Sequence, residues 1–127
     1  SVRKKAFLAF MNKGGVFIFD VNTPYKHREI LKDNTFVYET DEVFCVWQNK
    51  LDKETDEVEI QLDFFENNED DLYERTQECF CERAYSEESL TKMLEESGFE
   101  ILGIYEEMTT QKPKENTQRE VFAVRKL

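Results

Sequence analysis

The sequence predicts an α/β fold that carries an antiparallel β-sheet in its middle, and three patterns support this prediction. Residues 16–19 (VFIF) form a continuous apolar run of β-forming residues. Between residues 36 and 83, apolar and polar residues alternate with a period of two, which is typical of strands with one solvated face. Helix start and stop signals then follow at Ser86 and Gly98.

The first predicted elements are a helix end and a buried strand. Apolar residues at helical spacing predict the end of a helix over residues 2–12, and the glycines at positions 14 and 15 terminate it. Because residues 16–19 are apolar on both faces, we expect a strand covered on both sides, as in a parallel α/β sheet. Pro24 closes this strand, and a short helical turn is predicted over residues 25–31.

The middle of the chain predicts a locally folded antiparallel meander. Its main strands are predicted at residues 43–48, 58–64 and 73–83. We therefore predict an antiparallel β subdomain over residues 36–83 within a single domain that comprises residues 1–127, a length that suits one hydrophobic core.

The last third of the chain predicts one helix and two strands. Ser86 is a natural N-cap, and Gly98 stands where helices commonly end in the left-handed conformation. The two strands are predicted at residues 101–105 and 121–124, and a polar loop over residues 106–118 joins them.

Composition limits the environment of the protein. Aromatic residues make up 13% of the chain, which favours a folded core over disorder. No apolar run approaches 18 residues, so we expect neither a transmembrane helix nor a signal-peptide core in this sequence, and no membrane partner. Three cysteines at spacings that fit no disulfide scaffold favour a reducing compartment, and we expect a cytoplasmic location.

The negative charge is concentrated in the middle of the chain. The formal net charge is −11, and residues 39–82 contain 16 acidic and 3 basic residues. Such a segment repels phosphate, so nucleic acid is not an expected partner. Two interpretations remain open: a solvated face that keeps the protein in solution, or a docking surface for a basic protein partner.

Most signatures of catalytic and metal sites are absent from the sequence. His27 is the single histidine and lies between Lys26 and Arg28, so we expect it to be solvated. Cys79 and Cys81 lack the second pair of ligands that a zinc site needs, and we expect no metal. Neither a dinucleotide-binding glycine motif nor a Walker A sequence occurs.

A polar group at the end of the first strand is the best candidate for a site. Asp20, Asn22 and Thr23 follow the apolar run, and ligands of open α/β sheets bind outside the carboxyl ends of the strands. A hydrogen-bonded turn is the competing interpretation. Trp47 also has two interpretations, as a core aromatic residue or as a lid over a ligand.

Five segments resemble class I S-adenosylmethionine-dependent methyltransferases, all in the order that this family shows. KGGVFIFDVN at residues 13–22 resembles the glycine-rich turn and the strand that follows it, strand five of the family fold. The other segments resemble a bacterial subgroup of the family that has an inserted antiparallel sheet. They are FCVWQN at residues 44–49, ERAYS at 82–86, LEESGFEI at 94–101 and REVFAVRK at 119–126.

The resemblance implies a fold for this chain. It implies the C-terminal half of a Rossmann-like class I methyltransferase fold, strands five to seven, plus an inserted antiparallel β-sheet. The strand over residues 120–125 is expected between the strands over 16–21 and 100–105, and antiparallel to both. In this family strand five is an interior strand, so its outer edge is expected to be exposed here and to form a homo-oligomer.

The resemblance also implies an activity. The cofactor is S-adenosyl-L-methionine, but the family's main binding motif lies in the half that this chain does not resemble. No residue is therefore assigned to cofactor binding, and the isolated chain is expected to be inactive. The substrate-side candidates are Asp20, Asn22, Tyr25 and Trp47, and the methyl acceptor and catalytic residues are unknown. The competing hypothesis is a non-catalytic acidic module that binds a basic protein partner.

Overall fold

The structure is a computed structural model that describes residues 12–127. The predicted helix end over residues 2–12 lies almost entirely outside the described residues. The chain divides into two compact units. The first unit contains the residues up to Tyr25 together with Tyr85–Leu127, and the second unit is Lys26–Ala84. None of the helices in the described part of the chain is long and apolar enough to cross a membrane.

The first unit contains a three-stranded sheet and a helix. Its elements are β1 (Val16–Asn22), α1 (Glu87–Glu96), β6 (Phe99–Glu106) and β7 (Arg119–Lys126). The strand order is β1-β7-β6, and β7 pairs antiparallel with both neighbours. The predicted arrangement, with the last strand between the other two, is confirmed.

Local signals determine where α1 begins and ends. The side-chain oxygen of Ser86 accepts a hydrogen bond from the N–H of Ser89, as an N-cap residue does. At the other end, Gly98 has φ +87° and its N–H donates to the carbonyl oxygen of Glu95. The predicted helix is confirmed at both ends.

The core of the first unit lies between α1 and one face of the sheet. Its buried residues are Leu90, Phe99, Phe122 and Val124. Alternate residues of β1 pack against this cluster, and the rings of Phe19 and Phe122 stack with centroids 5.4 Å apart.

The expectation that β1 is covered on both faces is wrong. Phe17 and Phe19 pack into the core, but Val16 is 54% exposed and Ile18 is 64% exposed. An apolar run shows that both faces of a strand tolerate burial, but it does not show that both are covered. The cover comes from other elements, and α1 packs against only one face of this sheet.

The second unit is an antiparallel meander with a short helical segment. The strands are β2 (Thr35–Glu39), β3 (Val43–Asp52), β4 (Glu57–Asn67) and β5 (Tyr73–Arg83), and they pair in that order. The predicted separate antiparallel sheet is confirmed. A π-helical turn, Lys26–Leu31, packs against β3 and β4 and buries Leu31 beside Val58 and Ile60.

Candidate functional site

Arg119 holds Asp20 and Asn22 together at the end of β1. It stands opposite Asn22 in the pairing of β1 with β7, because antiparallel pairing brings the end of one strand to the start of the other. Its Nη1 donates to Asn22 Oδ1 at 2.7 Å, and its Nη2 lies 3.0 Å from Asp20 Oδ1. Arg119 Nε also donates to Asp20 Oδ2 at 3.3 Å, and the hydrogen bond and positive charge of Arg119 hold the pKa of Asp20 below its ordinary value.

These contacts define what Asp20 can do chemically. Its carboxylate stays ionised, so it acts as a hydrogen-bond acceptor and not as a proton donor. The side chain is 48% exposed despite the contact with Arg119, so an external donor group can reach it. Since Arg119 fixes its orientation, the acceptor is preorganised.

Thr23 has a structural role beside this pair. It is buried, its hydroxyl donates to the carbonyl oxygen of Thr117 at 2.6 Å, and its N–H donates to that of Gln118 at 3.0 Å. Thr117 is also buried, and its hydroxyl donates to Glu106 Oε1 at 3.1 Å. Thr23 therefore belongs to a hydrogen-bonded turn that attaches the end of β1 to the residues preceding β7.

Trp47 belongs to the second unit and lies on β3. Its indole N–H donates to Asn49 Oδ1 at 2.7 Å. Its ring centroid lies 5.5 Å from that of Phe36, in an edge arrangement, and 6.4 Å from that of Tyr38. Because the N–H is already bonded, the half-buried ring offers an apolar and π-electron surface.

Tyr25 belongs to the first unit, is the residue directly before the second unit begins, and is half-buried. The structure therefore joins Asp20 and Asn22 through a shared partner, and it places Tyr25 and Trp47 in different units. The roles of all four residues as substrate-side positions stay predictions.

The expectation that His27 is solvated is wrong. Its side chain is 0% exposed, and its Nδ1 lies 2.7 Å from the carbonyl oxygen of Asp56. The neighbouring Arg28 donates to both carboxylate oxygens of Asp56, from Nε at 2.6 Å and from Nη2 at 2.5 Å. The spacing of His27 to the apolar Leu31 was the sequence signal for burial, because residues four apart share one side of a helical turn.

The described residues contain no group of three or more His, Cys, Asp or Glu side chains that could hold a metal ion. Cys79 and Cys81 are exposed, free thiols. A hydrogen bond to Glu57, together with the nearby negative charge of Glu57 and Glu59, raises the pKa of Cys81, so this thiol stays protonated.

The glycines do not form a nucleotide-binding turn. Gly14 donates its N–H to Lys126 in the turn before β1, and Gly98 ends α1. Gly15 is next to Gly14, and Gly103 lies at the bulge in β6. The four glycines of the sequence thus lie in the turn before β1, at the end of α1 and at the bulge in β6. None of them follows the carboxyl end of a strand and opens a helix.

Two curated proteins are similar to nearly the whole chain. The chain is 29% identical over 116 residues to "Putative methyltransferase GWCH70_2453" of Geobacillus sp. (strain WCH70). This match covers 91% of the chain and 47% of that protein. It is 25% identical over 122 residues to "Putative methyltransferase YqeM" of Bacillus subtilis (strain 168). This match covers 96% of the chain and 49% of that protein. No protein-family model matches the chain.

Solved structures of methyltransferases also superpose on this chain. An S-adenosylmethionine-dependent methyltransferase from Clostridium acetobutylicum superposes with a TM-score of 0.84 and 35% identity, over 96% of this chain and 48% of that enzyme. The CcbJ methyltransferase from Streptomyces caelestis superposes with a TM-score of 0.73 over 98% of this chain and 51% of that one. Since its identity is 12%, it supports the fold alone.

The resemblance to S-adenosylmethionine-dependent methyltransferases is therefore confirmed. The chain spans about half the length of the curated relatives and of the solved enzymes that it matches. An α/β structure with antiparallel sheets agrees with these neighbours.

Proposed function

We propose that this chain is the substrate-side, C-terminal half of an S-adenosylmethionine-dependent methyltransferase. The observation that carries the proposal is the similarity to the Clostridium acetobutylicum enzyme, which covers 96% of this chain but 48% of that enzyme. In this proposal β1, β6 and β7 are strands five, six and seven of a Rossmann-like fold. The sheet of β2–β5 is the inserted subdomain of a single domain in a cytoplasmic enzyme.

The proposal places the cofactor-binding residues outside this chain. S-adenosylmethionine supplies a methyl group on a sulfonium centre when it is bound. The four glycines of this chain are used in a turn before β1, at a helix end and at a bulge, which supports a cofactor site built elsewhere. The isolated chain is accordingly inactive.

Within this chain, the proposed roles are orientation of the methyl acceptor and exclusion of water. Asp20 and Asn22 present oxygen acceptors that Arg119 has already oriented, so little reorganisation is needed when a donor group of the acceptor molecule binds. Tyr25 and Trp47 are the proposed pocket walls, since aromatic rings cover a ligand and keep water away.

A labelled-methyl assay with the full-length parent protein tests this function. We expect methyl transfer, and a fall in kcat/KM of about tenfold or more in the variants Asp20→Asn and Trp47→Ala. Matched controls are Asp70→Asn and Tyr73→Ala, at exposed positions of the second unit. Absence of transfer to small molecules, protein and RNA alike, or equal losses in controls and test variants, would contradict the proposed roles.

The isolated chain is expected to bind S-adenosylmethionine weakly, because the described residues lack a glycine turn for it. Calorimetric titration of the 127-residue chain should give a dissociation constant above about 100 μM, which corresponds to about −5.5 kcal/mol. A tighter constant would show that the cofactor site lies within these residues.

One observation favours the second candidate function, an acidic module for a basic protein partner. The second unit contains 18 acidic and 7 basic residues, so it accounts for the whole net charge of −11. A pull-down experiment decides between the two functions. The module hypothesis requires a basic partner that is lost when Glu69, Asp70 and Asp71 are replaced by Ser or Asn, while methyl transfer by the parent does not change.

We also propose that the isolated chain forms a homo-oligomer through the edge of β1. In the described sheet β1 is an outer strand, and its exposed Val16 and Ile18 give a second copy an apolar surface to cover. Sedimentation at about 100 μM should show a dimer or larger species, with Ile18→Lys shifting it towards monomer. A clean monomer of 15.2 kDa would contradict this proposal.

A further inference from the structure

One face of the β2–β5 sheet is rich in aromatic side chains. In an antiparallel sheet, paired residues point to the same face and successive residues alternate, so the register assigns each side chain to a face. Trp47 pairs with Phe36 on one side and with Leu62 on the other, and Leu62 pairs with Glu78 of β5. The face that carries this row is termed the aromatic face, and its other aromatic residues are Tyr38, Phe64 and Phe80.

The aromatic face is only partly covered within its own unit. The π-helical turn packs on it where Val58 and Ile60 are buried. On the two outer strands, Tyr38 is 56% exposed and Phe80 is 45% exposed, and the ring of Trp47 between them is half-buried. These rings therefore offer an apolar and π-electron surface to a ligand.

Hydrogen bonds and ring contacts hold Trp47 in one orientation. Its N–H donates to Oδ1 of Asn49, which is buried and donates from Nδ2 to the carbonyl oxygen of Asn34 at 2.9 Å. The rings of Phe36 and Tyr38 flank the indole. A ligand that contacts this ring therefore does not have to order it first, which lowers the entropic cost of binding.

The charged residues of the four strands are divided between the two faces. The register places every basic residue of these strands on the face opposite to the aromatic one: Lys50, Arg75 and Arg83. The strands bring only carboxylates to the aromatic face, at Glu66, Glu74, Glu78 and Glu82. Glu82 lies beside His27 of the π-helical turn, whereas Glu74 and Glu78 form no ion pair within the described residues. Aromatic rings bordered by carboxylates favour a cation over an anion or a neutral group.

We propose that the aromatic face binds a positively charged nitrogen of the methyl acceptor, over Leu62 and between the Trp47 ring and the Glu78 carboxylate. Leu62 lies on the strand between the other two, and adjacent strands are about 4.8 Å apart, so the backbones at Trp47 and Glu78 are about 10 Å apart. A cation within about 6 Å of the ring centroid then also reaches the carboxylate. This assignment rests on the function proposed above. The charged nitrogen is a group for recognition and not the atom that is methylated, because a protonated amine has no free electron pair.

The single tryptophan of the sequence gives a direct measurement of binding. Because Trp47 has no counterpart elsewhere in the chain, tryptophan fluorescence of the intact 127-residue chain reports on this ring alone. The chain is titrated with choline and with its uncharged analogue, in which a carbon atom replaces the nitrogen. Sodium chloride keeps the ionic strength constant, so that screening does not change during the titration. We expect a saturable change with choline, and at least about tenfold weaker binding of the analogue.

Variants on the two faces of the sheet locate the bound cation. Tyr38→Leu and Glu78→Gln change exposed side chains of the aromatic face, and each should weaken choline binding about threefold or more. The matched controls are Tyr73→Leu and Glu39→Gln, which make the same chemical changes at exposed positions of the opposite face. We expect the controls to leave binding unchanged.

Three results would overturn the proposal. They are the absence of a saturable change below about 100 mM choline, equal binding of the uncharged analogue, and losses in the control variants as large as those in Tyr38→Leu and Glu78→Gln. The titration needs neither cofactor nor methyl transfer. Its failure therefore contradicts the cation site alone, whereas absence of methyl transfer by the parent protein contradicts the proposed function.

Discussion

Replacing Phe122 by alanine is expected to lower the free energy of unfolding by about 3–5 kcal/mol, the range for truncating a buried aromatic residue. Phe122 is 0% exposed and lies on β7, the central strand of its sheet. It stacks on Phe19 of β1 and contributes to the cluster that contains Leu90 of α1, so its removal leaves a cavity that three elements share.

Urea denaturation followed by far-UV circular dichroism measures this loss. The matched control is Leu102→Ala, because Leu102 is 40% exposed at the bulge of β6 in the same sheet. We expect the control to cost less than about 1 kcal/mol. A loss of the same small size for Phe122→Ala would show that the core of the first unit is not where the structure places it.

Local signals predicted the elements that depend on local chemistry. The N-cap at Ser86 and the left-handed residue at Gly98 act within a few residues of chain, and α1 has the predicted ends. The period-two pattern likewise predicted the meander, because each strand pairs with its neighbour in sequence. The order of β1, β7 and β6 is non-local, and the family resemblance supplied it.

Two expectations were wrong for the same physical reason. The solvent exposure of Val16 and Ile18, and the burial of His27, depend on which distant elements cover them. His27 is buried with Asp56 and Glu82 as partners, and neither lies near it in the sequence. The charged neighbours Lys26 and Arg28 occupy other sides of the turn. Their charge therefore does not predict whether the side chain of His27 is exposed.

In the candidate site as well, local sequence predicts some features, and others depend on the pairing of distant segments. Strand periodicity places Asp20 and Asn22 on one face, which the sequence predicts. Arg119, which binds both side chains, is 97 residues from Asn22 and becomes their partner only through the pairing of β1 with β7. It is therefore a residue of the candidate site that the linear pattern missed.

Replacing Glu120 by glutamine is expected to stabilise the protein at neutral pH. Glu120 is 9% exposed on β7, two residues before Phe122 and on the same face of the sheet. Its Oε2 is buried without a hydrogen-bond partner among the described residues. An ionised carboxylate in such a place is costly, whereas an amide of nearly the same shape carries no charge.

The pH dependence of this effect follows from the carboxyl group itself. Burial, and then the charge of Glu87 at the start of α1, raise the pKa of Glu120 above its ordinary value of 4.5. The folded state therefore binds this proton more tightly than the unfolded state, so ionised Glu120 destabilises the fold increasingly as the pH rises from about 4.5 through the folded pKa. Glutamine does not ionise, and the variant escapes this loss.

We expect Glu120→Gln to raise the free energy of unfolding by about 1–2 kcal/mol at pH 8, and by less at pH 5. Urea denaturation at the two pH values measures this gain, in dilute solution because the isoelectric point is near 4.6. The control is Glu115→Gln in the exposed loop before β7, which should change stability by less than about 0.5 kcal/mol. If Glu120→Gln destabilises the protein at pH 8, the carboxylate has a partner that stabilises its charge. If the gain is equal at both pH values, the effect does not come from ionisation.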